Sequence, residues 1–157
     1  MPYEHPPLKT TAQLIKRYGN PTLNQAKFES TWMRSYILPE NVHKAIPCLP
    51  AHIYMNMDII VSFEITLNKL IETGLHREIK TWDGCFNVRK QRGSNTISRH
   101  SFGIAFDINA AWNKLNGKTN WTEDFLNVWR EIGWVCGADF HNRKDPMHFE
   151  NSAANAW

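Results

Sequence analysis

At 157 residues, 42% hydrophobic and 21% charged, the chain has the composition of a soluble globular protein. It is long enough to bury a core without disulfide staples, so a disordered, fibrous or disulfide-framed chain is excluded. The net charge of +3 and pI near 8.8 suit an anionic partner without choosing one.

The longest basic cluster, Arg89-Lys90-Gln91-Arg92, lacks the interleaved aromatics of a single-strand binding platform. No nucleic-acid partner is therefore expected. Cys48, Cys85 and Cys136 are widely spaced, odd in number and free of any Cys-x-x-Cys pair, which points to packed thiols. No apolar stretch approaches the ~20 residues of a membrane span. Met1 to Pro7 show no basic segment leading into an apolar run. The expectation is one domain over residues 1–157, a monomer made in the cytoplasm without a cleaved signal and with no stable membrane insertion.

Residues 1–30 read as a polar arm, punctuated by Pro2, Pro6, Pro7 and Pro21, with one short helix near Thr11 to Tyr18. Residues 31–50 suggest irregular structure or short edge strands. Between Asn56 and Thr73, Ile60, Phe63, Leu67, Leu70 and Ile71 recur at spacings of three and four and predict a helix stopped by Gly74. Residues 78–90 read as strand-rich, with a hairpin turn at Asp83-Gly84. Gly103 to Asn109 alternates with period two, sending Ile104, Phe106 and Ile108 one way and Ala105, Asp107 and Asn109 the other. A second helix starts at Thr122, buries Phe125, Val128, Trp129 and Ile132, and ends at Gly133. Short strands are expected at 134–136 and 147–150. The sum is an α+β fold, helices packed on a small mixed or antiparallel sheet.

Two motifs carry chemistry. Ser98-Arg-His100-Ser-Phe-Gly-Ile-Ala-Phe-Asp107 places a histidine in a turn and an aspartate on the strand that follows. Asp145-Pro-Met-His148-Phe-Glu150 adds a second histidine with an acid three residues before it. Two imidazoles and one carboxylate suit a catalytic zinc with an open position. Asp145, stiffened by Pro146 in a rigid turn, would then serve as general base and acid. Spacing alone does not separate this reading from ordinary surface histidines. Asp139 and Glu150 are, by residue type, solvated or assisting a neighbour.

Together these motifs resemble the zinc D-alanyl-D-alanine carboxypeptidase family, with its VanY-type carboxypeptidases, VanX-type dipeptidases and phage L-alanyl-D-glutamate endolysins. The resemblance spans roughly residues 75–150 and includes Gly84-Cys-Phe-Asn-Val-Arg89 and Cys136-Gly-Ala-Asp139-Phe. It implies a fold like that of the hedgehog domains and DD-peptidases. It also implies one zinc ion on His100, Asp107 and His148, with Asp145 as the catalytic acid/base. Arg89 would bind substrate or stabilise the oxyanion, and Ser98 would support the substrate site. The implied substrate is the peptidoglycan stem peptide, cut either at L-Ala–D-Glu or at D-Ala–D-Ala, in the manner of a phage endolysin. The competing expectation is a non-catalytic, zinc-containing module that binds cell wall or a protein partner. An intact acid at position 145 argues against that alternative.

Overall fold

The computed structural model describes residues 3–152; Met1 and Pro2 of the expected arm, and the chain after Ser152, lie outside them. The arm leads into helix α1 (Thr11–Tyr18), closed by a capping box in which Thr10 and Gln13 exchange side-chain and backbone hydrogen bonds. Helix α2 (Gln25–Trp32) follows, where the sequence suggested only arm. It buries Phe28, and Asn24 caps it by accepting from Lys27 N.

Strands β1 (Met33–Ile37) and β2 (His52–Asn56) pair antiparallel in a two-stranded sheet, with helix α3 (Glu40–Ala45) between them. Helix α4 (Ile60–Thr73) lies as its apolar spacing predicts, burying Phe63, Leu67 and Leu70, and Gly74 ends it in the left-handed region.

The main sheet has four antiparallel strands in the order β3 (Trp82–Gly84), β4 (Ala105–Ile108), β6 (Asp145–Glu150), β5 (Val135–Gly137). Helix α5 (Glu123–Glu131), capped by Thr122, precedes β5. Helices on small antiparallel sheets make the fold α+β, as the element pattern requires.

Two local expectations are corrected. Asp83-Gly84 is no hairpin turn but lies inside β3, at an irregularity in its pairing with β4. The Asp83 carboxylate is committed elsewhere, accepting from Thr81 Oγ1 and Ala110 N, both at 2.9 Å. Asp145-Pro146 likewise forms no turn; it opens β6 opposite Gly137. A Cβ at Gly137 would collide with the Asp145 carbonyl, so the missing side chain lets the two strands close up there.

The core is aromatic and centres on Phe106. Phe63, Trp82, Trp129, Trp134 and Phe149 surround its ring, their centroids 5.2–5.6 Å from its own. Phe106 and Phe149 are cross-strand partners on β4 and β6 and stack in parallel. This packing holds one face of the central strand pair under the helices and turns the other outward.

Gly103 joins the two sheets. Its carbonyl accepts from Asn56 N at 2.9 Å, and Asn56 Nδ2 donates to the neighbouring Phe102 carbonyl at 2.9 Å. Its φ is +67°, and a Cβ there would run into the Met33 thioether. Gly103→Ala is expected to cost roughly 1–3 kcal/mol of stability, read as a lower denaturant midpoint at unchanged slope.

Candidate metal centre

His100 sits in a 3-10 turn, Arg99–Phe102, between the polar loop and β4. Ser98 caps the turn, its Oγ accepting from His100 N at 3.3 Å. Ser101 staples the preceding segment: its hydroxyl donates to the Arg89 carbonyl at 2.9 Å and accepts from Arg89 N at 3.0 Å. The His100 ring is aimed by its Nδ1–H, which donates to the Cys85 carbonyl at 2.7 Å and leaves Nε2 as the free lone pair.

Asp107 and His148 are cross-strand partners on β4 and β6, on the face opposite Phe106 and Phe149. Asp107 Oδ1 lies 3.2 Å from His100 Nε2 and 3.4 Å from His148 Nδ1. All three donor atoms lie within 4.8 Å of one another. Four ligands at about 2.0–2.2 Å around a tetrahedral ion stand about 3.3–3.6 Å apart, so the 3.4 Å edge falls inside that range and the 3.2 Å edge just short of it. Asp107 Oδ1 is buried and has no hydrogen-bond partner. A buried carboxylate oxygen between two imidazole lone-pair positions, with no donor of its own, is the chemistry of a cation site. The donor set therefore fits a zinc ion.

Electrostatics agree with three tightly coupled groups. Burial alone would depress His148, but the carboxylates of Asp107 and Glu150 outweigh it and push the imidazole up to about 10. Burial opposes ionisation of Asp107 as well, but the two imidazoles hold it well below the usual carboxylate range. Asp145 is different. Burial raises it, the imidazole of His148 works against that, and the charge of Asp107 adds to the rise.

An open cleft of about 200 Å³ runs over this cluster. His100, Asp107, His148, Asp145, Ser98 and Arg89 all line it, so the six residues singled out in the sequence converge on one place. Arg89 is half-buried there, its guanidinium donating to the Lys90 carbonyl at 3.2 Å. Three further residues contribute. Arg92 and Arg143 bring two more cations to the wall, and Arg143 Nη2 donates to the Arg92 carbonyl at 2.8 Å. Glu150 is not solvated but 2% exposed, 3.3 Å from His148 Nε2. Asp139 is also committed, gripping Arg130 of α5 at 2.6 and 3.0 Å.

A His/Asp/His donor set beside a further acid and an arginine, in a cleft open to solvent, is the arrangement of a metal-dependent hydrolase. Residues 92–151, the site-bearing segment, match the family model described as D-alanyl-D-alanine carboxypeptidase, and are similar to that family of peptidases. The matched segment is less than half of the chain. It contains His100, Asp107, Asp145 and His148, and it begins after Arg89. Comparison with curated proteins and with solved structures finds no match.

The coupled charges make the metal-free protein pH-sensitive. Because His148 is raised, its contribution to stability is complete below the ordinary imidazole value of ~6.5 and is lost as pH rises through about 10. Asp107 and Glu150 are lowered, so theirs is complete above about 4.5 and lost on acidification. In chelator, the thermal midpoint should be several degrees higher at pH 6 than at pH 9. His148→Phe should flatten that difference.

Proposed function

We propose that the protein is a zinc peptidase that hydrolyses peptidoglycan stem peptides, with one ion held by His100, Asp107 and His148. The observation that carries this reading is the buried Asp107 Oδ1, set between two imidazole nitrogens without a hydrogen bond of its own. The match to a peptidase family over the same residues supports it.

Zinc at that position would polarise the scissile carbonyl and bring the pKa of a water down towards ~7. The chain's own groups do the rest. The Asp145 carboxylate takes the proton of the attacking water and returns it to the leaving amine nitrogen. Its raised pKa suits an acid that must hold that proton between the two transfers. Arg89, permanently charged and with a planar fork of donors, grips a carboxylate of the substrate or the developing oxyanion. Ser98 holds the His100 turn in place at the cleft wall.

The motifs resemble those of phage L-alanyl-D-glutamate endolysins most in character, and that is the role proposed: release of cell-wall peptides during lysis. The peptide bond is assigned by mass spectrometry of fragments from digested sacculi. New glutamate amino termini mean endopeptidase action, and released D-alanine means carboxypeptidase action. Binding to sacculi without any released fragment would overturn the enzymatic reading in favour of a binding module.

Chelator should abolish activity, and stoichiometric zinc should restore it. Asp145→Asn should keep zinc while turnover falls by about 10²–10⁴. A variant digesting wall at the normal rate would exclude Asp145 from proton transfer. Arg89→Ala should lower kcat/KM by roughly tenfold to a hundredfold, the worth of a charged hydrogen bond.

A further inference from the structure

From His148 a chain of contacts runs along the cleft lining to the N-terminal arm. Glu150 Oε1 lies 3.3 Å from His148 Nε2. Glu150 Oε2 accepts from the Ser152 hydroxyl and lies 3.4 Å from Arg99 Nε. The Arg99 guanidinium donates to the Lys9 carbonyl at 2.8 Å and to Thr11 Oγ1 at 3.1 Å. Lys9 N in turn donates to the Ser152 carbonyl at 2.7 Å, closing the loop.

We infer that Glu150 is the positioning residue of the metal centre, and that Arg99, clamped by the N-terminal arm, is its counter-ion. The assignment rests on the zinc site proposed above. An imidazole can offer Nδ1 to a metal only if its proton is on Nε2, and a carboxylate accepting from Nε2–H fixes both that tautomer and the ring plane. Glu150 Oε1, 3.3 Å from Nε2, is within reach to do this for His148, in the position that the hydrogen-bonded Cys85 carbonyl holds beside His100. The two ligands are thus oriented differently, one by a neutral oxygen and one by an anion.

The charge balance explains Arg99. Two neutral imidazoles and one carboxylate leave a divalent ion with a net charge of about +1. A second buried carboxylate at the next shell would cancel that charge and blunt its pull on a carbonyl oxygen. The guanidinium of Arg99 compensates it. Glu150 can then orient His148 without neutralising the centre. Ala105, the cross-strand partner of Glu150, is small enough to admit the pair against the sheet.

The test compares Glu150→Gln and Glu150→Ala with the unaltered protein, by zinc competition against a chromogenic chelator and by the visible spectrum of the Co²⁺-loaded protein. Glu150→Ala should lose about 10–100-fold in zinc affinity and show shifted, weakened cobalt bands. Glu150→Gln keeps an oxygen acceptor for Nε2–H and should recover most of both. Equal zinc affinity and identical cobalt spectra in all three proteins would overturn the assignment, even if Glu150→Ala melted lower, since that would mark a purely structural role. Metal binding by the unaltered protein without peptide release would overturn the proposed function and leave this assignment standing.

Discussion

The site depends on one pairing register, β4 against β6. It sets Asp107 opposite His148 and Phe106 opposite Phe149. Because side chains alternate along a strand, a slip of one residue would move the donors into the aromatic core and the rings into water. The core forbids that slip. Phe106 is fully buried among five large aromatic rings, and truncating such a side chain typically costs about 3–5 kcal/mol. The hydrophobic face therefore fixes the metal face, and chemistry and stability are two sides of the same strands.

Around that register the remaining site residues are held mainly by backbone hydrogen bonds. His100 is brought in by a capped turn and aimed by a main-chain carbonyl; Arg89 is delivered through the Ser101 hydroxyl. Such supports cost little side-chain entropy and leave the functional atoms facing the cleft. Asp145, Arg89, Arg92 and Arg143 line the cleft wall.

Much of this was legible in the sequence, for reasons that differ by element. Helices α4 and α5 announce themselves because Phe63, Leu67 and Leu70, and Phe125, Val128 and Trp129, repeat at helical spacing over several turns. Helix α2 does not, because it buries only Phe28 and has almost no apolar face to read; Asn24 as a cap was its one local sign. The strand bearing Asp107 was readable from its alternation, although Asn109 leaves it, adopting a left-handed conformation after Ile108. The motif spacing pointed to four residues of the site. Glu150 was left between solvent and a neighbour because its burial depends on Arg99 and on residues 9–11, distant in the chain, and no local pattern encodes such a contact.

The order of strands in the main sheet has a consequence for assembly. β6, the latest of the four in sequence, lies inside the sheet, between β4 and β5. A growing chain that has made β3, β4 and β5 still lacks the strand that joins the β3–β4 pair to β5, and it lacks the second imidazole as well. Sheet closure and completion of the donor set are thus a single, late, long-range event in folding. No chain that lacks β6 carries the complete donor set.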